Sequence, residues 1–196
     1  MGHDLRSAIR PSLVMLVLFT LLTGLAYPAL LTGIAQTVFA AQANGSLVRN
    51  GDTVVGSELI GQSFTAPKYF HGRPSAAGKG YDGTASGGSN LGPAAKALID
   101  RVTADLKTAR ADGVTGPVPA DMVTASGSGL DPDVSPATAY AQVARVAKAR
   151  KMADGVVKAM VDAAVVAPLA GLLGEPHVNV LMLNRQLDAG AVTPAT

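Results

Sequence analysis

Apolar and polar positions are spread unevenly along this chain. From Pro11 to Val48 no residue is charged, whereas the chain beyond Arg49 mixes polar, charged and apolar residues throughout. Leu13 to Phe39 is the apolar heart of that stretch. A helix rises about 1.5 Å per residue, so ~20 residues cross a ~30 Å hydrocarbon layer. The pattern predicts a short N-terminal segment over 1–12, a transmembrane helix over 13–39 and one domain over 40–196. Along the span, small or polar residues recur at every fourth position: Thr20, Gly24, Pro28, Thr32 and Gln36. In lipid, helices associate through small residues that allow close approach and polar groups that bond across. The ridge is therefore a candidate helix-packing and assembly seam. Pro28 should kink the helix, because its ring removes a donor and crowds the preceding turn.

Downstream, the periodicity changes. Ser46–Arg49 and Asp52–Val55 flank Asn50-Gly51, a strong short-range hairpin signal. Glycines from Gly72 to Gly92 exclude a long helix and leave ordered loops, with short strands expected around Leu59–Phe64. Helical spacing resumes at Asn90, through Leu91, Ala94, Leu98, Val102 and Leu106, and stops at Asp112-Gly113. Met122–Thr124 reads as a short strand. Ser135-Pro136 gives an N-cap followed by proline at the first helical position, with Tyr140, Val143 and Val146 on one stripe as far as about Met152. A further helix is expected from Asp154 to about Val166. Val178–Leu183 fits strand or helix, with Asn179 a possible cap and Val180, Leu183 and Leu187 facing inward.

The resulting fold class is α+β: one N-terminal transmembrane helix followed by a single extracytoplasmic α+β domain. Orientation follows from the flanks. Arg6 and Arg10 precede the span and only Arg49 lies near its far end, so the positive-inside rule leaves the N-terminus in the cytoplasm and the domain in the periplasm. A cleaved signal peptide is the rival reading, with Ala41-Gln42-Ala43 as a small-x-small cleavage site and a secreted periplasmic binding module as the product. The uncharged run is much longer than the ~7–15 residues of a signal core, which favours the anchor.

Composition then removes several functions. The net charge is only +2 and the domain is close to neutral, so there is no electrostatic footprint for nucleic acid. With no cysteine there is no disulfide framework and no thiolate metal site. His3, His71 and His177 lack metal-ligand spacing, and no metal is expected. Ser126-Gly127-Ser128-Gly129 has no lysine to complete a phosphate loop and no nucleophile elbow, which leaves a tight turn and makes a hydrolase built on Ser126 or Ser128 the weakest reading. Asp131-Pro132-Asp133 fits a cap or turn far better than a calcium loop. Arg145, Lys148, Arg150 and Lys151 fall late in a helix, where cations complement the dipole, and read as a solvated helix end. No catalytic residue is expected.

Several motifs in register carry a resemblance. They are Gly61-Gln62-Ser63-Phe64, Tyr69-Phe70-His71-Gly72-Arg73-Pro74-Ser75, Ala85–Leu91, Val123–Pro132, Gln142 with Arg145-Val146-Ala147, and Gly174-Glu175-Pro176 with Val178-Asn179-Val180. In this order they resemble the KdpC family, the C chain of the bacterial high-affinity potassium-transporting P-type ATPase, over nearly the whole chain. The resemblance implies an accessory subunit of the bacterial inner membrane, not an enzyme in itself. Its implied partners are a potassium-binding A chain, an ATP-hydrolysing B chain and a very small F chain, besides the lipid bilayer. It also implies an assembly and stabilising role, and that of a catalytic chaperone raising the B chain's affinity for ATP. Gln142 is the residue that the family links to nucleotide. Positive-inside topology puts Gln142 on the side away from cytoplasmic ATP, so any ATP effect is expected to pass through the complex, with no cofactor held by this chain. Asp133, His177 and Arg185-Gln186 depart from the family pattern without touching a proposed site.

Overall fold

The computed structural model describes residues 2–190, with side chains from residue 7. Met1, residues 191–196 of the expected domain, and the side chains of His3, Asp4 and Arg6 lie outside the described residues. The chain divides into two compact units, Met1–Leu47 and Val48–Thr196.

The first unit is helical. Helix α1 (Gly2–Leu21) runs into a π turn (Leu22–Ala26), then α2 (Tyr27–Val38) and a single turn α3 (Ala40–Ala43). Ser7–Val38 is long and apolar enough to cross a membrane, by length and composition. The interruption expected at Pro28 takes the form of the π turn just before it. Pro28 has no N–H for the carbonyl four residues back, and its ring would crowd that carbonyl. The backbone widens instead, and the Tyr27 N–H donates to Leu22 O, five residues back.

Next in the chain comes the hairpin β1 (Leu47–Asn50) and β2 (Thr53–Ser57). The turn is centred one residue later than Asn50-Gly51 suggests: Gly51 takes the first central place at φ 58°, which glycine occupies without steric cost. The strands expected at Leu59–Phe64 are replaced by irregular chain with one isolated bridge, Ser57 to Ile60, because Gly61 N–H is used by Leu130 O instead of a neighbouring strand. Helix α4 (Lys96–Ala111) starts six residues after Asn90. Asn90 is left-handed, at φ 50°, and Pro93 and Ala94 lie in a turn, so the periodic apolar residues before Ala95 belong to a loop. The helix stops at Asp112, as its sequence indicates. Met122–Thr124 is not a strand: Ala120–Met122 is a 3-10 turn, and it aims the Asp121 carboxylate at the next helix.

That helix, α5 (Pro136–Arg150), follows β3 (Asp133–Val134). Ser135 caps it, its Oγ accepting Thr138 N–H at 3.1 Å, and the Asp121 carboxylate accepts both Ser135 N–H at 2.7 Å and the Ser135 hydroxyl at 3.1 Å. Lys151 ends it in a left-handed cap. Helix α6 (Asp154–Ala164) turns into β4 (Val165–Val166), so the expected helix loses its last two residues to a strand. The ambiguous stretch proves to be both elements. His177–Asn179 is strand β5, and the Asn179 side chain accepts Met182 N–H to open α7 (Val180–Ala189). The sheet order is β3-β5-β4, antiparallel, with Val134 and Val165 both registered on Val178. The core fills the space between this small sheet and the helices: Val143 and Val146 of α5, Val157, Met160 and Val161 of α6, Leu183 and Leu187 of α7, and Phe70 from the loop. Tyr140 departs from the expected stripe; it is exposed and donates its hydroxyl to Asp162.

Candidate functional site

The sequence motifs converge on an irregular segment, residues 66–73, which turns at Pro67-Lys68 (Tyr69 N–H to Ala66 O, 3.0 Å) and pairs with no strand among the described residues. Two buried amides take the place of a strand. Gln142 on α5 accepts His71 N–H at 2.8 Å and donates to His71 O at 3.0 Å. Asn184 on α7 treats Phe70 the same way, accepting at 2.8 Å and donating at 2.9 Å. Gln142 and Asn184 are buried because they satisfy a main chain that would otherwise be orphaned in the core. Both grips follow from helix geometry, since each amide lies on the inward stripe of its helix.

Gln142 has no hydrogen-bonding capacity left. Its amide N–H groups serve His71 O and Thr138 O, and its oxygen accepts from His71 N–H and from the Arg145 guanidinium at 2.7 Å. Arg145 continues the clamp. Its NH1 group donates to Pro67 O at 2.6 Å and Tyr69 O at 3.0 Å, and its Nε faces the Asp112 carboxylate at 3.3 Å. Burial lowers the Arg145 pKa, opposed by Asp112. Arg150 repeats the device one turn on, donating to Lys68 O, Leu187 O and Asp188. The reading of these arginines as a solvated helix end is corrected: the Arg145 side chain is 9% exposed and that of Arg150 13%. Three of their acceptors, Pro67 O and Tyr69 O for Arg145 and Lys68 O for Arg150, are loop carbonyls some eighty residues earlier, which no local pattern reveals.

The other motifs brace the same region. Arg73 pairs with Asp131 at 2.8 Å, and Tyr81 donates its hydroxyl to Arg73 O at 2.7 Å. Burial, then the Asp131 charge, pushes the Tyr81 phenol up to about 12, so it stays a donor. Ser75 donates to Gly129 O at 2.6 Å. Ser126-Gly127-Ser128-Gly129 is the tight turn expected: Ser126 Oγ accepts Gly129 N–H, and Gly129, at φ 67°, has Ala77 N 2.6 Å from where a Cβ would stand. Asp131 accepts Asp133 N–H, a turn role. Between these parts lies a cavity of about 440 Å³ lined by Ser63, Thr65, His71, Arg73, Tyr81 and Gln142 among others. Of its polar side chains, Gln142, Arg73, Ser75 and Tyr81 are engaged in holding the loops. Among the described residues no group of three or more His, Asp or Glu side chains could hold a metal ion.

Within the first, helical unit, the π turn acts on the small-residue ridge. At about 100° per residue, positions four apart drift by about 40°, so five such positions would fan over about 160°. A π turn absorbs one extra residue, removing about 100° of phase from everything after it. Thr20, Pro28, Thr32 and Gln36 then fall within about 80°. A Cβ on Gly24 would meet nothing within 4 Å. Gln36 is held within its own unit, where Asn44 Nδ2 donates to its Oε1 at 3.0 Å.

Comparison with known proteins fits this architecture. The family model described as K+-transporting ATPase, c chain, matches residues 9–189. A protein of Caulobacter vibrioides called potassium-transporting ATPase KdpC subunit is 58% identical over 93% of this chain and 93% of its own. Proteins with the same designation from Allorhizobium ampelinum and Gemmatimonas aurantiaca are 56% and 55% identical, covering 95% and 94% of this chain and 98% and 94% of their own.

Proposed function

Because this chain belongs to the KdpC family, the c chain of K+-transporting ATPase, we propose that it is a non-catalytic, single-span accessory subunit of an ATP-driven potassium uptake complex. It assembles and stabilises a potassium-binding A chain, an ATP-hydrolysing B chain and a small F chain in the bacterial inner membrane. Its N-terminus is cytoplasmic and its α+β domain periplasmic. The observation that carries the reading is the match over residues 9–189, with the span as well as the domain inside it.

The domain raises the B chain's affinity for ATP through the complex and without touching nucleotide. Gln142 supports the indirect route, because its amide is already saturated by His71, Thr138 and Arg145. The retained anchor is supported by Ala41-Gln42-Ala43 lying in a helical turn tied back by the Gln36–Asn44 pair, not in an extended chain open to a peptidase. The test is the ATP dependence of potassium-stimulated hydrolysis by transporter purified with and without this chain, together with photolabelling by an azido-ATP analogue. A higher KM for ATP without the chain, and label on the B chain alone, is expected. Label on this chain would overturn the indirect route; an unchanged KM would overturn the chaperone role.

A further inference from the structure

The loop between β4 and β5 is an exposed apolar tip that the core does not use. Leu169, Leu172 and Leu173 are 73%, 86% and 67% exposed. Residues 165–174 hold no charge, and Glu175 is the sole charged residue up to Pro176. The tip is nonetheless preformed. Leu169 N–H donates to Leu173 O at 2.9 Å and Leu173 N–H returns to Leu169 O at 3.1 Å, while Gly171 and Leu172 N–H groups bond to Pro168 O and Leu169 O. Four backbone donors of the tip, on Leu169, Gly171, Leu172 and Leu173, are therefore satisfied internally, which lowers the cost of carrying a loop into an apolar site. Ala170 holds a left-handed φ of 53°, rare for a residue with a Cβ, and fixes the leucines' arrangement.

Single exposed leucines need no explanation, but three on one hydrogen-bonded, uncharged turn form a patch. We propose that this tip is a docking plug that inserts into an uncharged, aliphatic socket on a companion subunit of the transporter. Its composition favours protein over lipid. Interfacial membrane segments rely on Trp, Tyr, Lys or Arg anchors, and residues 165–176 contain none of them while ending at the acidic Glu175. An apolar centre with a polar rim, here Glu175 and the half-buried His177, is the anatomy of a protein interface. The inference rests on the reading of this chain as a transporter subunit.

The chain has no cysteine, so Leu172→Cys is a unique reporter, with exposed Lys79→Cys as the control. Each is treated with a membrane-impermeant maleimide as full-length chain alone in lipid nanodiscs and as purified transporter in the same nanodiscs, and label on this chain is counted by intact mass. Leu172→Cys should react at least about tenfold more slowly in the transporter, as water is excluded from an interface core, with Lys79→Cys unchanged. Leu172→Asp should lower recovery of the companion chains several-fold while leaving the domain's unfolding midpoint in place. Equal Leu172→Cys rates in a transporter that purifies intact would overturn the plug and leave the subunit reading standing. Protection in nanodiscs without companions would assign the tip to lipid and overturn the plug. Failure of the wild-type chain to copurify with any companion would overturn the subunit reading and the plug with it.

Discussion

Gln142 grips both main-chain groups of His71, accepting its N–H at 2.8 Å and donating to its carbonyl at 3.0 Å. One side chain thus does the work of a strand residue for a segment seventy-one positions earlier in the chain. Gln142→Leu keeps the volume but removes the partner of the His71 N–H, of the His71 carbonyl and of the Arg145 NH2 group. Each buried orphan costs about 1–3 kcal/mol, so the substitution should destabilise the domain by about 3 kcal/mol or more. Urea unfolding of the full chain in detergent measures it; an unchanged midpoint would mean the grip is not structural.

Arg145 fixes the same loop from the neighbouring turn of α5. Lysine keeps the charge but is a point cation without a planar fork, and it cannot reach Pro67 O, Tyr69 O and Gln142 Oε1 together. Arg145→Lys is expected to cost about 2 kcal/mol, in the same unfolding assay. A solvated helix end would tolerate it with no measurable loss.

His71 makes part of this stability depend on pH. Burial, and then the Arg145 guanidinium, hold its imidazole below the usual 6.5, against Ala66 O and Asp112. The unfolded chain therefore takes up this proton first as pH falls. The contribution of neutral His71 is complete above the unfolded value, about 6.5, and declines as pH drops below it toward the lowered folded value. Unfolding midpoints from pH 7.5 to 5 should fall less steeply in His71→Gln than in the wild type. Parallel slopes would contradict the burial of a neutral ring.

Gly24 provides a test of the membrane seam. A Cβ there meets no atom within 4 Å outside its own helix backbone, so Gly24→Leu should leave the isolated chain intact and lower recovery of the A and B chains from detergent extracts several-fold. Full recovery of the complex would remove Gly24 from the assembly surface.

The parts legible in the sequence were those governed by neighbours. Ser135 before Pro136, Asn179 three residues before Met182, and the Asp112-Gly113 stop are local chemistry, and each stands where its residues indicate. Misread boundaries came from competition between local signals. The apolar period beginning at Leu91 is genuine, but left-handed Asn90 and the turn at Pro93 delay α4 to Lys96. Asp121 was obscured by an expected strand at Met122–Thr124, although a carboxylate fourteen residues before a Ser-Pro cap was visible. The clamp was not legible: Gln142, Arg145, Arg150 and Asn184 act on main-chain atoms of residues 67–71, and a side chain's distant backbone acceptor leaves no mark in periodicity. Resemblance to a family singled out Gln142; only the fold explains why it is a glutamine.

The most direct test of the account is the native mass of the assembly recovered through a tag placed after Thr196, extracted from potassium-starved membranes. The account predicts one membrane complex holding this chain with residues 1–43 retained, together with the potassium-binding and ATP-hydrolysing chains. A soluble protein beginning at Asn44 and free of those chains would contradict it.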